Sequence, residues 1–194
     1  MGEPASGRPG GAGGDTAPGP QELVFIAEAC GVVGYRPCVQ SCTLHDLLAG
    51  SSTAGLILPL LRLRDRVREL VEEQLGLHCE LLHEFTGLIS WGPGASIGWH
   101  FDSNKAYLEQ RAVSAVVYLS SKGRDFEGGN FQFRDPEEEA DVVPAPGRVV
   151  LYTAGEENVH RVGEVVGGRR HTVALWFTKR AKHDEDAALL RALG

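Results

Sequence analysis

Hydrophobic and polar positions follow two different periods along this chain, and the change falls near Leu77. Before it, large apolar residues recur every three or four positions, with arginines and glutamates between them. This spacing predicts a long amphipathic helix with one apolar face. Ser51-Ser52-Thr53 supplies N-cap candidates, Gly76 is a natural C-cap, and Pro59 either occupies the first turn or kinks the helix. The apolar face consists of Leu60, Leu63, Val67, Leu70 and Val71.

From Leu77 onward, short apolar or alternating runs are separated by turns rich in glycine and proline, a pattern typical of strands. A short strand or helix start is expected at residues 22–26, and short helices at 42–48 and 184–193. No helix falls between the late strands, which excludes a parallel βαβ fold. We therefore predict a mainly β protein, a double-stranded β-helix (jelly roll) buttressed by N-terminal helices. The predicted strands are residues 78–85, 87–91, 113–119, 130–133, 148–152 and 172–177.

The length and composition indicate one domain. Residues 1–20 are mostly glycine, proline, alanine and serine, which bury too little apolar surface to offset the entropy of ordering, so we expect a disordered tail. The remaining residues, 21–194, are long enough for a single domain with a substantial core.

The bulk properties also narrow the range of partners. A net charge of −7 argues against non-specific nucleic-acid binding, which requires a basic surface. No apolar run reaches the length of a membrane span, and no secretory signal is visible. We therefore expect a soluble intracellular protein of the cytoplasm or nucleus, with no nucleic-acid or membrane partner. The oligomeric state does not follow from the sequence.

One group of residues has the pattern of a metal site. In an extended strand, His100 and Asp102 would point to the same face, and His160 near another strand could complete the set. Two imidazoles and one carboxylate can bind one face of an octahedral iron(II) and leave three positions open. Arg170, ten residues after His160, could then pair with the distal carboxylate of a 2-oxo acid. The alternative is that each histidine is an ordinary surface or hydrogen-bonded core residue.

The sequence segments that flank these residues favour the metal site over ordinary surface or core histidines. The segments 118–119, 125–133, 155–162 and 168–178 fall in the order seen in a known family. The chain resembles the catalytic domain of the prolyl and lysyl hydroxylase superfamily of iron(II)/2-oxoglutarate dioxygenases, and is most similar to the leprecan-type prolyl 3-hydroxylases. The resemblance covers about residues 80–180.

The resemblance implies a role for each matching residue. His100, Asp102 and His160 correspond to the metal ligands. Arg170 matches the residue that binds the C5 carboxylate of 2-oxoglutarate, a task suited to a planar guanidinium. The remaining matches are Tyr118 and Thr172 as further hydroxyls for 2-oxoglutarate, and Trp176 and Trp91 as walls of the substrate pocket.

Several of these assignments have alternatives. Arg169 could be the anchor in place of Arg170, because a one-residue change of strand register moves a side chain to the opposite face. Tyr118 could be a half-buried sheet tyrosine with its hydroxyl in water, and Trp176 could be a core residue.

The activity implied is hydroxylation of an unactivated C–H bond with Fe(II), 2-oxoglutarate and O₂, and with ascorbate as reductant. A protein or peptide substrate, with a prolyl side chain as the first candidate, is expected. Collagen is in doubt, since the sequence shows neither an entry signal nor a C-terminal retrieval tetrapeptide. The alternatives are a small-molecule hydroxylase of the same superfamily and a non-catalytic jelly roll that binds a metal or a partner.

Overall fold

A computed structural model describes residues 38–49, 54–82, 86–134 and 140–193. The tail expected over residues 1–20 and the element expected at residues 22–26 lie outside these ranges.

The predicted long helix is present as α2 (Ala54–Leu75), which follows the short helix α1 (Leu44–Ala49). Pro59 lies inside α2, beyond its first turn, and Gly76 follows the helix with a φ of +60°. This positive φ is the left-handed conformation expected of a glycine C-cap. The C-terminal helix α3 (Glu185–Leu193) also lies where the sequence predicted it. No helix in the described part of the chain is both long and apolar enough to cross a membrane.

The strands of the described residues form two sheets and a two-stranded ribbon, and every strand pair is antiparallel. The major sheet has the order β1-β3-β12-β5-β9, with β2 also paired to β12, and the minor sheet has the order β4-β10-β7-β8. β6 and β11 form the ribbon. The bounds are β1 Val39–Thr43, β2 Glu80–Leu81, β3 Gly87–Trp91, β4 Ile97–His100, β5 Val113–Tyr118, β6 Phe126–Gly128, β7 Phe131–Phe133, β8 Ala140–Val142, β9 Val149–Thr153, β10 His160–Val162, β11 Val165–Gly168 and β12 Arg170–Thr178.

The major sheet is covered on both faces, which gives the molecule three layers. On one face, apolar residues of α1, α2 and α3, among them Leu47, Val67 and Leu189, pack on the sheet in one core. On the other face, the minor sheet packs through a second core that contains Phe131 and Val162. The helices therefore buttress a β-sandwich, as the sequence predicted.

The two central strands, β5 and β12, alternate between these two cores. In β12, Val173, Leu175 and Phe177 belong to the core beneath the helices. The residues between them, such as Thr172 and Trp176, face the space between the two sheets and line a cavity there. This alternation follows from the two-residue period of a strand.

The sequence prediction found the central strands and missed six other short strands of the described residues. β3 has the bounds predicted, and β5, β7, β9 and β12 lie within two residues of the expected positions. The strand expected at residues 78–85 is reduced to β2 in the described residues. β1, β4, β6, β8, β10 and β11 have three to five residues each, too few for an alternating pattern to be distinguished from that of a turn.

A buried ionic cluster ties α3 to α2. The guanidinium of Arg64 on α2 contacts Glu185 at 3.1 Å and Asp186 at 2.5 Å, and the hydroxyl of Thr86 donates to Glu185 at 3.2 Å. Burial raises the pKa of Glu185 to about 7, although Arg64 and Thr86 act in the opposite direction. Because Asp186 and Asp65 also face Arg64, the guanidinium keeps its charge whether or not Glu185 is ionised.

We expect Glu185 to make stability depend on pH. Its folded-state pKa lies above the ordinary value of 4.5, so the folded protein holds this proton more tightly than the unfolded chain does. The resulting stability is present in full below pH 4.5 and is lost as the pH rises through about 7. Relative to Glu185→Gln, the wild type should lose on the order of 3 kcal/mol of unfolding free energy between pH 4.5 and 8, measured by urea denaturation.

The exposed Glu73 of α2 provides the control, because Glu73→Gln makes the same change in net charge at the surface. A wild-type advantage over Glu185→Gln that grows with pH would contradict the prediction and would show that Glu185 is held ionised by Arg64.

Candidate metal centre and adjoining cavity

The three predicted metal ligands meet between the two sheets. His100 is the last residue of β4 and His160 the first of β10, and the two are directly paired across the minor sheet. Their Nε2 atoms lie 3.6 and 3.8 Å from Oδ1 of Asp102. The sequence predicted that His100 and Asp102 would share one extended strand. Asp102 instead lies in the turn after β4. The ligand atoms of the three residues are all within 4.8 Å of one another.

Each histidine is oriented by a backbone carbonyl. Nδ1 of His100 donates to the carbonyl of Gly98 and Nδ1 of His160 to the carbonyl of Asn158, both at 2.8 Å. With the hydrogen on Nδ1, each ring presents the lone pair of Nε2 toward Asp102 Oδ1. This outer-sphere arrangement is the one that metal-binding histidines usually have.

The carboxylate of Asp102 divides its two oxygens between different tasks. Oδ2 accepts hydrogen bonds from the hydroxyl of Ser114 at 2.5 Å and from the indole nitrogen of Trp176 at 3.1 Å, and the hydroxyl of Tyr152 lies within reach at 3.1 Å. Oδ1 is left to face the two histidines. Because Oδ2 already accepts from Ser114 and Trp176, Oδ1 is the oxygen available to a metal.

The charge states suit a metal site. Burial by itself would raise the pKa of Asp102, but its neighbours His100, Ser114, His160 and Arg111 hold this pKa well below its usual range. Burial lowers the pKa of His160. The site therefore presents an anionic carboxylate at Asp102 and a neutral imidazole at His160 at neutral pH, the forms that bind metals.

A cavity of about 500 Å³ adjoins the three ligands. This volume lies within the range of about 300–1,000 Å³ typical of small-molecule sites. Its walls combine apolar side chains of β3, β5 and β12 with the polar group around Asp102, and exposed residues of the 104–107 segment line it as well.

Arg170 lies in the wall of this cavity and is 1% exposed. Its guanidinium carbon is 5.2 Å from the ring centroids of both Trp91 and Tyr118, close enough for cation–π attraction. Among the described residues, its Nε and Nη2 have no hydrogen-bond partner, and neither has the Tyr118 hydroxyl. Burial lowers the pKa of Arg170, but a guanidinium remains charged in proteins. Buried donors of this kind are costly unless a ligand satisfies them.

The structure places Arg170 in the cavity wall and its neighbour Arg169 on the opposite face. Arg169 is exposed on the opposite face of the chain, where its guanidinium donates to the hydroxyl of Ser90. Thr172 lines the cavity next to Arg170, and its hydroxyl accepts a hydrogen bond from the indole nitrogen of Trp91 at 3.3 Å. Tyr118 is fully buried and contacts Arg170 from behind, but it is not among the residues that line the cavity.

The two tryptophans predicted for the pocket both line the cavity, at different places. Trp91 lies beside Arg170. Trp176 lies beside Asp102, to which its indole donates, and the guanidinium of Arg111 stacks on its ring at 4.2 Å. Trp176 therefore belongs to the metal end of the cavity and Trp91 to the arginine end.

Sequence reasoning missed Ser114, Tyr152 and Asn158. Ser114 is the one polar side chain in the apolar run of β5, and this interruption was the available signal. Tyr152 lies near the end of a largely apolar strand, and Asn158 contributes its backbone carbonyl, so neither had a signature in the sequence.

Together these residues fit an iron(II) ion and a dicarboxylic co-substrate. Two imidazole nitrogens and one carboxylate oxygen on one side of a cavity are the ligand set of non-haem iron(II) oxygenases. The unpartnered nitrogens of the buried Arg170 fit a carboxylate, which a guanidinium binds through two parallel hydrogen bonds.

The β-sandwich and this ligand set match the class of non-haem iron(II) oxygenases. The sequence profile of the 2OG-Fe(II) oxygenase superfamily matches residues 86–178, which include the three candidate ligands and Arg170. This part of the chain is a 2OG-Fe(II) oxygenase domain, and the resemblance drawn from the motifs is confirmed. Iron(II) and 2-oxoglutarate, the expected cofactors, are those for which the superfamily is named.

Two relatives illustrate the similarity. The 2-oxoglutarate and iron-dependent oxygenase domain-containing protein 3 of Rattus norvegicus is 36% identical over 92 residues, which make up 47% of this chain and 29% of that protein. Prolyl 3-hydroxylase 1 of Homo sapiens is 42% identical over 78 residues, 39% of this chain and 10% of that protein. The matched region thus spans less than a third of the length of these curated relatives.

Solved structures share the fold. A Pseudomonas putida prolyl-4-hydroxylase is similar with a TM-score of 0.58 at 22% identity, covering 84% of this chain and 88% of that one. A Trichoplax adhaerens prolyl hydroxylase, in complex with a hypoxia inducible factor oxygen degradation domain peptide fragment, has a TM-score of 0.62 at 15% identity, covering 81% and 75%. The predicted jelly-roll fold is confirmed.

The metal site can be tested by removing one ligand. His100→Ala should weaken Mn²⁺ binding, measured by isothermal titration calorimetry, by more than about 100-fold, beyond the loss typical of an outer-sphere change. The melting temperature of the metal-free protein should change little, because His100 is partly exposed at a sheet edge. His78→Ala is the control, since His78 is 82% exposed and lies between Glu72 and Glu80. Unchanged Mn²⁺ affinity in His100→Ala would remove His100 from the site.

Proposed function

We propose that this protein is an iron(II)- and 2-oxoglutarate-dependent dioxygenase that hydroxylates a protein or peptide, with a prolyl side chain as the first candidate. The observation that carries the proposal is the pairing of two features in one cavity. The group His100, Asp102 and His160 forms one wall, and the guanidinium of Arg170, whose Nε and Nη2 have no partner among the described residues, lies in another. A metal site alone would suit many functions, whereas a metal site with a buried carboxylate receptor suits a 2-oxo diacid.

Bound iron(II), with O₂ and 2-oxoglutarate, would supply the oxidising chemistry that hydroxylates an unactivated C–H bond and yields succinate and CO₂. The residues of this chain would then bind and orient the reactants. His100, His160 and Oδ1 of Asp102 would hold the metal from one side. The hydrogen bonds to Oδ2 would keep Asp102 from rotating and taking a second coordination position.

Arg170 would bind the distal carboxylate of 2-oxoglutarate. Thr172 could contribute to the same contact, because its oxygen accepts from Trp91 and its own hydroxyl hydrogen remains available. The cavity walls near Arg170 include Ile89, Val116 and Ala174. Such apolar walls exclude water, and the exclusion strengthens a charge-assisted hydrogen bond.

The substrate assignment has two supports. First, the cavity is lined at its exposed side by Asn104, Lys105 and Tyr107, the last 70% exposed, so a segment of another chain could approach the metal there. Second, one relative is named as a prolyl 3-hydroxylase, and one structural neighbour was solved with a peptide. Ascorbate would serve as the reductant that keeps the metal in the iron(II) state.

The anchor residue can be distinguished by kinetics. Arg170→Ala should raise the KM for 2-oxoglutarate at least about 30-fold, which corresponds to roughly 2 kcal/mol for loss of a buried charge-assisted contact. Arg170→Lys should also bind 2-oxoglutarate less tightly, because an ammonium lacks the two-pronged geometry of a guanidinium. Arg169→Ala, one residue away and exposed, should leave the KM within about twofold of wild type. The reverse order would assign the anchor to Arg169.

The substrate class can be tested by succinate release. The iron(II)-loaded protein, with ascorbate, is expected to release succinate faster with some members of a proline-containing peptide library, and the product peptides should gain one oxygen by mass spectrometry. His100→Ala is the matched control. Succinate release that no peptide stimulates would retain the co-substrate site but favour a small-molecule substrate. Absence of both iron binding and succinate release would favour a non-catalytic protein.

A further inference from the structure

Tyr152 lies beside the candidate metal ligands and is not itself one of them. It is on β9, is buried, and lines the cavity. Its ring packs against three other rings, with centroid distances of 5.7 Å to Phe131, 5.4 Å to Phe133 and 4.8 Å to His160. These contacts hold the ring in place and bring the hydroxyl to the junction of two ligands.

The hydroxyl of Tyr152 has two acceptors within reach and one hydrogen to donate. Oδ2 of Asp102 is 3.1 Å away and Nε2 of His160 is 3.3 Å away. Asp102 Oδ2 already accepts from Ser114 and Trp176. Nε2 of His160 carries a lone pair, because Nδ1 of the same ring donates to Asn158.

The choice between these acceptors depends on the metal. In the metal-free protein, the buried Nε2 of His160 needs a donor, and an unsatisfied buried acceptor would cost free energy. When Nε2 of His160 binds a metal, it can no longer accept a hydrogen bond from Tyr152. The hydroxyl hydrogen then has Asp102 Oδ2 as its remaining acceptor of the two.

We propose that Tyr152 is a positioning residue of the metal centre, whose hydroxyl bonds to His160 in the metal-free protein and to Asp102 once a metal is bound. The hydrogen bond keeps the His160 ring aimed at the site before the metal arrives. After binding, it joins Ser114 and Trp176 in holding the carboxylate so that it binds through one oxygen. This inference rests on the metal site of the proposed function.

Packing of the Tyr152 ring does not explain why this residue carries a hydroxyl. A phenylalanine would keep the ring contacts with Phe131 and Phe133, and burying a hydroxyl is unfavourable unless it is hydrogen-bonded. A phenol has a pKa of about 10 in water, well above neutral pH. The phenol therefore keeps its hydrogen and acts as a donor.

Tyr152→Phe tests the proposal through metal affinity and two spectra. Co²⁺ should bind about 10- to 100-fold more weakly than to wild type, as is typical when an outer-sphere donor is lost. The visible absorption of the Co²⁺-loaded variant should change, because a carboxylate with one donor fewer is freer to alter its coordination. In the metal-free variant, the imidazole ¹⁵N spectrum should show the Nε2 resonance of His160 shifted toward that of a nitrogen without a hydrogen bond.

Two control variants separate this role from general effects. Tyr118→Phe removes a hydroxyl from another buried tyrosine of the same sheet and, without 2-oxoglutarate present, should leave the Co²⁺ affinity unchanged. Ser114→Ala removes a different donor from Asp102 Oδ2. It should weaken Co²⁺ binding while leaving the Nε2 resonance of metal-free His160 in place, since Ser114 does not contact that ring.

The outcomes are distinct. Wild-type Co²⁺ affinity together with an unmoved His160 Nε2 resonance in Tyr152→Phe would overturn the inference and leave the metal site intact. Failure of the wild type to bind Co²⁺ would overturn both the inference and the proposed function. Equal effects of Tyr118→Phe and Tyr152→Phe would show a general response to losing a buried hydroxyl, and would overturn the inference as well.

Discussion

Burial of both faces of the major sheet is the constraint on which the structure depends. β12 is paired with β3 and β5 and places Val173, Leu175 and Phe177 against the helices. Because successive side chains alternate, the same strand must present Arg170, Thr172 and Trp176 to the space between the sheets. A slip of one residue would turn Arg170 to the opposite face of the sheet and Val173 away from the helices, so the packing of the helices fixes the register that builds the site.

The site consists of buried polar groups, some of which have hydrogen-bond partners within the protein while others do not. Ser114 and Trp176 donate to one oxygen of Asp102, the Tyr152 hydroxyl lies beside that oxygen, and each histidine is held by a backbone carbonyl, so the metal end is largely preorganised. At the other end, Arg170 retains unpartnered nitrogens. Protein interiors seldom leave buried donors without partners, and a ligand bound in the cavity would supply the partners that Arg170 lacks. The cavity thus combines a rigid metal end with an arginine end whose hydrogen bonding is incomplete without a ligand.

The segment shared with the superfamily does not form the fold alone. The profile match begins at residue 86, whereas α1 and α2 lie before it and α3 lies after it. These helices cover the face of the major sheet opposite the cavity. The buried cluster of Arg64, Glu185 and Thr86 links the helices before and after the matched segment to its first residues. The helices outside the matched segment therefore support the register of the strands that carry the site.

The sequence by itself determined the long helix, the central strands and the candidate ligands, because each rests on a local pattern: helical spacing in α2, apolar runs in β5 and β12, and motifs around His100, Asp102 and His160. It left open whether Arg169 or Arg170 faces the cavity, since both follow the same glycine turn. It also contained no sign that Tyr152 and Ser114 would meet at one oxygen of Asp102. Only the tertiary structure decided these points, because they depend on which face of each strand is buried and on contacts between residues 12 to 74 positions apart.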